Sequence, residues 1–361
     1  MPITKVKRSE SVPAKAPVLS SSAMVSPVVV RMGVVGCGYW GPNLIRNFND
    51  LQQSRVETLC DIRESQFRPF AKKYPWIRFT TSYEDILKDP SIDAVAIATP
   101  VSTHYRLARK ALEAGKHVLV EKPMTGKAQD AVRLAQLAKS CNKILMVGHT
   151  FEYHPAVLKI AKLLKSGELG DLHYIDSVRV NLGLHQSDGL NVIWDLAPHD
   201  ISIILHWIQE MPLWVSAWGR SFVHSGIEDV AFVRLEFPRG ILAHLHLSWL
   251  APSKIRRITV AGNKKMIIYD DLENVEKLKV ADRGVFKDSA DPQLRVAYRM
   301  GDIVSPKVEV TEPLSLACAH FIDCILTGRK PLTDGESGTR VVRILEAAHR
   351  SIKRGGRKVT L

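Results

Sequence analysis

A glycine-rich turn between an apolar stretch and a helical stretch constrains the fold of this chain more than any other feature. The run Val28–Val35 has the length of a buried parallel strand and leads into Gly36-x-Gly38-x-x-Gly41. In this pattern the first glycine allows a tight turn, the second lets the backbone approach a pyrophosphate, and the third lets helix and strand pack closely. The following stretch, Asn43–Phe48, is predicted to be a helix whose N-terminal N–H groups hold the phosphates.

A carboxylate at the end of the next predicted strand supports this interpretation. The strand Glu57–Asp61 ends about 20 residues beyond the glycines, which is the spacing expected for a residue that contacts the ribose. Asp61 can accept hydrogen bonds from the adenosine ribose and would repel a 2′-phosphate. The sequence therefore predicts NAD as the cofactor, and Arg63 keeps NADP as the less favoured alternative.

The order of predicted elements indicates an α/β protein with two domains. Up to Thr150 strands alternate with helices, which predicts βαβ units and a parallel sheet. Beyond it, short strands separated by Gly or Pro predict a mainly antiparallel sheet, and the polar stretch 279–306 is predicted to be a long excursion or a rim of the substrate site. We expect a disordered extension over residues 1–27, a dinucleotide-binding domain over 28–150 and a second α/β domain over 151–361.

Charge and cysteine content narrow the class of protein. The formal net charge of +13 comes partly from lysines and arginines near both ends of the chain, and no nucleic-acid-binding motif accompanies it. No apolar run approaches the length of a membrane span. The five cysteines form no C-x-x-C pair, which is typical of free thiols in a cytoplasmic protein. We therefore expect a cytoplasmic protein that binds a small molecule, and neither nucleic acid nor a membrane.

Two short segments carry candidate chemistry. Glu121–Lys122–Pro123 follows a strand whose carboxyl end faces the dinucleotide crevice, on a turn that can include a cis peptide, so the Lys122 ammonium can hold a substrate oxygen. Asp195 and His199 lie one turn apart on a predicted helix and share a face. Alternatives remain open at this point: Lys122 as a surface lysine, Asp195 as a helix N-cap and His199 as an ordinary first-turn residue.

Together these segments resemble the Gfo/Idh/MocA family, which contains glucose–fructose oxidoreductase, inositol dehydrogenase and related sugar dehydrogenases. The resemblance extends from Val30 to the C-terminus and rests on the glycine motif, Asp61, Ala98–Thr99–Pro100, Glu121–Lys122–Pro123 and Asp195-x-x-x-His199 in this order. It implies a Rossmann domain followed by an α/β domain whose large open sheet joins subunits into a homodimer or homotetramer.

The resemblance also implies roles for individual residues. Lys122 and His199 are the implied catalytic pair, with Asp195 on substrate hydroxyls and with Tyr153 and His154 as further substrate contacts. The residues expected to contact the cofactor are Gly36, Cys37, Gly38, Tyr39, Trp40, Gly41, Asp61, Arg63, Thr99, Pro100, His104, Glu121 and Lys122.

These roles predict an alcohol dehydrogenation without a metal. His199 takes the proton and Lys122 stabilises the alkoxide, or the two exchange roles. The one candidate metal site, His244-x-His246, supplies too few ligands. We expect an NAD-dependent oxidoreductase acting at a ring carbon of a sugar, and we expect that sugar to be a nucleotide sugar of a surface-polysaccharide pathway. The alternatives are an inositol or free-polyol dehydrogenase and an NAD-loaded binding or regulatory protein without turnover.

Overall fold

The computed structural model describes residues 28–183, 189–287 and 296–361, so the predicted extension 1–27 lies outside the described residues. Six strands of the first half form one sheet: β1 (Val30–Val35), β2 (Ser54–Cys60), β3 (Arg78–Thr80), β4 (Ala94–Ile97), β5 (His117–Val120) and β6 (Leu145–Val147). All are parallel, in the order β3-β2-β1-β4-β5-β6. This is the Rossmann order, with its switch point between β1 and β4, and it confirms the predicted parallel sheet.

The helices between these strands agree with the prediction except in one segment. They are α1 (Gly41–Asp50), α2 (Arg68–Ala71), α3 (Tyr83–Lys88), α4 (Val101–Glu113) and α5 (Ala128–Ser140). The stretch Glu64–Lys73 has a sequence that predicts one helix, but the structure has a 3₁₀ turn, Glu64–Phe67, followed by the short α2. Pro69 explains the break, because a proline has no N–H to continue a helix but fits the first turn of a new one.

The second half builds a sheet of nine strands. These are β7 (Leu172–Leu182), β8 (Trp214–Arg220), β9 (Val230–Glu236), β10 (Leu242–Ser248), β11 (Leu250–Gly262), β12 (Met266–Asp270), β13 (Leu278–Lys287), β14 (Val296–Val304) and β15 (Val359–Thr360). Their order is β14-β13-β12-β11-β7-β10-β9-β8-β15. Only β7 and β10 pair in parallel among the described strands of this sheet, which confirms the predicted, mainly antiparallel architecture.

The stretch 279–306, predicted to be a long excursion or arm or a rim of the substrate site, contains two strands that its poor periodicity did not reveal. Most of this stretch lies in β13 and β14, which pair antiparallel at one edge of the large sheet. Edge strands are more exposed to solvent than central strands, so charged residues occur along them. These charges obscure the alternation of apolar and polar residues that identifies a strand in the sequence. The ion pair between Asp282 and Arg299, at 2.9 Å across the two strands, is such a case.

Four further helices cover the sheets: α6 (Pro155–Lys165), α7 (Val192–Ile208), α8 (Pro313–Thr327) and α9 (Gly335–Lys353). α7 packs on the inner face of the nine-stranded sheet against β7, β9 and β10. α8 returns to the first domain, where the rings of Phe321 and Phe48 lie 6.2 Å apart. In the described part of the chain, no helix combines the length and the hydrophobicity that crossing a membrane requires.

Candidate active site

The glycine-rich turn has the shape that a bound pyrophosphate requires. Gly36 has a φ of +93°, and a Cβ built on it would lie 2.7 Å from the carbonyl oxygen of Ala98. A Cβ on Gly41 would lie 2.2 Å from the carbonyl oxygen of Gly36, so this glycine lets α1 begin directly against the strand end. A Cβ on Gly38 meets nothing within 4 Å, which leaves open space beside the backbone. A dinucleotide therefore fits this turn, with its phosphates at the N-terminus of α1.

Asp61 lies beside this turn, where a ribose contact requires it. Its carboxylate accepts hydrogen bonds from the backbone N–H of Cys37 at 2.8 Å and of Arg63 at 2.9 Å. The carboxylate has further lone pairs that can accept from ribose hydroxyls. The Arg63 side chain is mostly exposed and Tyr39 fully so, so both can reach a ligand from the solvent side.

His104 is the predicted cofactor contact that has no free ring nitrogen. The ring is almost completely buried, with Nδ1 at 2.9 Å from the carbonyl oxygen of Pro123 and Nε2 at 2.7 Å from that of Thr99. His104 thus braces the loop after β4 against the loop after β5. The Thr99 hydroxyl is likewise taken by Thr103, at 2.7 Å, while Pro100 is exposed at the start of α4.

Lys122 points across the crevice to α7. The Lys122–Pro123 peptide is cis. The Lys122 Nζ donates to the backbone carbonyl of Asp195 at 2.9 Å and lies 3.5 Å from its Oδ1. Lys122 is therefore a partly buried cation bound to a carboxylate, and the alternative of an ordinary surface lysine is wrong.

Asp195 and His199 lie in the first turns of α7. The cap of this helix is Asn191, whose side chain accepts from the N–H of Trp194 at 3.2 Å, so the alternative that Asp195 serves as the N-cap is wrong. The second oxygen of Asp195 accepts from the indole Nε1 of Trp249 at 3.1 Å. Asp195 is thereby fixed between an indole and the ammonium of Lys122.

His199 is surrounded by cations and by an aromatic ring. Its ring meets that of Phe151 edge to face, with centroids 4.9 Å apart. Burial, followed by the charges of Lys122, Arg179 and Arg256, holds the pKa of His199 well below its usual range. His199 is therefore a neutral imidazole at physiological pH, and it can accept a proton.

Several buried polar atoms at this site have no partner among the described residues. They are Trp40 Nε1, Glu121 Oε1, both ring nitrogens of His149, and His199 Nδ1. Burial raises the pKa of Glu121 to about 7, and burial with the nearby Lys122 lowers that of His149 to about 3. Native proteins pair nearly all buried polar groups, so this concentration indicates a ligand that supplies the missing partners.

Two predicted substrate contacts lie elsewhere. Tyr153 is buried toward α8, with its hydroxyl 3.3 Å from Thr333 Oγ1 and 3.1 Å from His320 Nδ1. His154 caps α6 by accepting from the N–H of Ala156, and its Nε2 is 3.9 Å from Asp271. The structure thus brings Lys122, Asp195 and His199 together, whereas the polar atoms of Tyr153 and His154 contact other protein groups.

The sequence reasoning missed the residues that surround His199. Arg179 is buried and forms a bidentate ion pair with Asp200, the residue after His199, with N–O distances of 2.7 to 3.0 Å. Its guanidinium lies 4.8 Å above the ring of Phe151. The sequence contained a signal for this, because Arg179 lies on the same inward face of β7 as Ile175 and Ser177. Within the described ranges, no group of three or more potential metal ligands occurs.

Comparisons with known proteins agree with this geometry. A family model described as the oxidoreductase family with an NAD-binding Rossmann fold matches residues 30–149, and a model of the GFO/IDH/MocA C-terminal domain matches residues 157–268. A UDP-N-acetylglucosamine 3-dehydrogenase of Acidithiobacillus ferrooxidans is 26% identical over 87% of this chain and 94% of its own. The scyllo-inositol 2-dehydrogenase (NADP(+)) of Bacillus subtilis is 25% identical over 90% of this chain and 94% of its own. The structure of GenD2 from gentamicin A biosynthesis, in complex with NAD, superposes with a TM-score of 0.79 at 23% identity, covering 98% and 99% of the two chains.

Proposed function

The chain belongs to the GFO/IDH/MocA oxidoreductase family, and on that premise we propose that it transfers a hydride between NAD and a ring hydroxyl or ketone of a sugar. The observation that carries the proposal is the contact of the Lys122 ammonium with Asp195, one helical turn from a neutral His199. The oxidation of a secondary alcohol requires a cation to stabilise the alkoxide, a carboxylate to orient the substrate and a base to accept the proton, and this crevice contains all three.

Lys122 and Asp195 orient the reacting alcohol. The ammonium donates to the substrate oxygen and stabilises the negative charge that develops on it. The Asp195 carboxylate accepts from an adjacent hydroxyl and is held in place by Trp249. Fixing both oxygens sets the angle at the reacting carbon, and hydride transfer depends steeply on such alignment.

His199 is the proton acceptor in the oxidation direction. Its low pKa keeps the imidazole neutral, whereas the ammonium of Lys122 is bound to the carbonyl and carboxylate of Asp195. The neighbouring cations disfavour a positive charge on His199, so proton transfer to it depends on the stabilisation of the alkoxide by Lys122, which makes the bound alcohol more acidic. These observations support His199 as the base over the reverse assignment to Lys122.

The first domain holds the dinucleotide. When bound, its nicotinamide ring supplies the site that accepts or donates the hydride. The glycine turn holds the pyrophosphate, and Glu121 and the loop at Thr99–Pro100 line the nicotinamide end. Asp61 binds the adenosine ribose and disfavours a 2′-phosphate, which supports NAD over NADP.

We propose a nucleotide sugar as the substrate and separate it from a free polyol by direct assay. The protein is supplied with NAD⁺ or NADP⁺ and with UDP-N-acetylglucosamine, UDP-glucose, scyllo-inositol or glucose, and reduced nicotinamide is followed by absorbance. We expect turnover with NAD⁺ and a nucleotide sugar. Turnover of inositol alone would establish the polyol alternative, and NAD binding without turnover of any sugar or polyol would favour a binding protein.

We further propose that the outer face of the nine-stranded sheet joins two copies of this chain. Exposed apolar side chains lie on this face: Tyr174 pairs with Leu242, Trp218 pairs with Phe232, and Ile268 lies nearby on β12. A soluble monomer rarely exposes several large apolar side chains on one sheet face without a partner. Charges of both signs, Asp176 and Arg234, lie on the same face, so a copy related by a two-fold axis can pair them.

Trp218→Glu is expected to convert a dimer or tetramer to smaller species in sedimentation velocity, because it introduces a charge beside Phe232 among the exposed aromatic side chains of this face. Trp76→Glu, at a partly exposed tryptophan of the first domain, is the control and is expected to leave the assembly unchanged. A wild-type chain that sediments as a monomer would refute the proposed interface.

A further inference from the structure

A wide bulge in β11 presents a lysine beside the site. Leu250 pairs with Leu182 and Ile255 with Val180, so four residues of β11 lie opposite a single residue of β7. Lys254 is the last residue of this bulge, and its side chain is exposed. Bulges next to active sites re-aim side chains that a regular strand would point elsewhere.

Arg256 follows two residues later, on the face of β11 that meets the active site. It pairs directly with Arg179 of β7, so the two guanidinium side chains share one face of the sheet. Both stack on the ring of Phe151, with Cζ–centroid distances of 4.8 Å for Arg179 and 5.7 Å for Arg256. Since this ring also contacts His199, the cations extend directly from the catalytic base.

Two carboxylates neutralise part of this cluster. Asp200 is fully engaged by Arg179, and Asp271 lies 3.2 Å from Arg256 while also accepting from the hydroxyl of Tyr269 at 3.0 Å. No described carboxylate forms an ion pair with Lys254. The neighbouring Arg256, which is the largest cause, lowers the pKa of Lys254, as expected for two adjacent cations without enough negative charge.

Two like charges held side by side are unfavourable unless a ligand relieves them. Here the surplus lies at the exposed Lys254, next to Arg256, whose guanidinium stacks on the same Phe151 ring that contacts His199. A substrate whose hydroxyl meets His199 can place its remaining substituents along these side chains.

We propose that Lys254 and Arg256 bind an anionic group of the sugar substrate, either a carboxylate on the ring or the diphosphate of a nucleotide. This inference rests on the proposed sugar oxidoreductase function and names the part of the site that selects charged sugars. Arg256 approaches the anion from the sheet, where Asp271 orients it, and Lys254 approaches from the bulge. Neutral sugars and polyols leave this surplus charge uncompensated and bind more weakly.

The test is calorimetric titration of the NADH-loaded protein with UDP, glucuronate and glucose. Lys254→Gln is expected to lower the affinity for the anion that reaches the bulge by about tenfold or more and to leave the affinity for glucose unchanged. The reason is that charge-assisted hydrogen bonds are stronger than neutral ones. Lys254→Arg is expected to restore binding. The matched control is Lys264→Gln, which removes the same charge from the exposed turn at the other end of β11.

The pattern of results identifies the anion and separates this inference from the proposed function. A loss confined to glucuronate places a carboxylate at the bulge, and a loss confined to UDP places a diphosphate there; either supports the inference. Equal affinities of Lys254→Gln and Lys264→Gln for both anions would overturn it, as would the absence of anion binding by the wild-type chain. Anion binding that needs Lys254, together with no NADH formation from any sugar, would sustain the anion site and refute the dehydrogenase function.

Discussion

Lys122→Met is expected to lower kcat/KM for the sugar by at least about a thousandfold while NADH affinity changes by less than about threefold. In the proposed mechanism the ammonium donates to the developing alkoxide, and methionine keeps the length of the side chain without the charge. Asp195 would also lose the ion pair that fixes it at 3.5 Å. Removing one such donor costs roughly a hundred- to a thousandfold in other enzymes, and the loss of alignment adds to this.

The measurement is steady-state kinetics with the substrate found in the assay above, together with fluorescence titration by NADH. Lys127→Met is the matched control, because Lys127 is an exposed lysine that follows the same turn and precedes α5. It is expected to retain turnover. If Lys122→Met turned over sugar at the wild-type rate, neither the alkoxide role nor the proposed site would survive.

The first domain was predictable because its signals are local. Fewer than twenty consecutive residues define each glycine turn, apolar strand or helix end. Outside the break at Pro69, the observed bounds agree with the predicted ones within a few positions. Lys122, Asp195 and His199 also came from short motifs. Their meeting in space did not, because it depends on how α7 packs against the crevice, and for that the family resemblance was needed.

The surroundings of the base were not predictable for the same reason. Arg179, Phe151 and Arg256 come from three separate elements and acquire their role only when β7 and β11 pair. His104 shows the reverse case, since the resemblance implies a cofactor contact whereas the two ring nitrogens lie 2.9 and 2.7 Å from backbone carbonyl oxygens. Proximity in sequence to a binding motif does not show which way a side chain points.

Arg179→Met is expected to destabilise the second domain by about 3 to 5 kcal/mol, the usual loss when one partner of a buried ion pair is removed. Asp200 is almost completely buried and receives three hydrogen-bond contacts from this one guanidinium. Without them a buried carboxylate of α7 remains in the core without a counterion. The stacking of Arg179 on Phe151 is lost as well. Urea unfolding, followed by the fluorescence of the buried Trp194, Trp207 and Trp249, measures the change.

The double variant Arg179→Met/Asp200→Leu distinguishes the value of the pair from the cost of breaking it. Because it removes both charges, we expect it to recover most of the lost stability, to within about 1 to 2 kcal/mol of the wild type. Arg109→Met is the control for an exposed pair: Arg109 and Glu113 lie 2.8 Å apart on the surface of α4, and their loss should cost less than about 0.5 kcal/mol. If Arg179→Met were as stable as Arg109→Met, water or another donor would have replaced the guanidinium at Asp200. The ion pair would then not be needed for stability, and Arg179 of the wild type would be free to bind substrate. If the double variant folds but has lost activity, the ion pair serves to position His199, which precedes Asp200 in the chain. Its main contribution is then to the geometry of the active site and not to the free energy of unfolding.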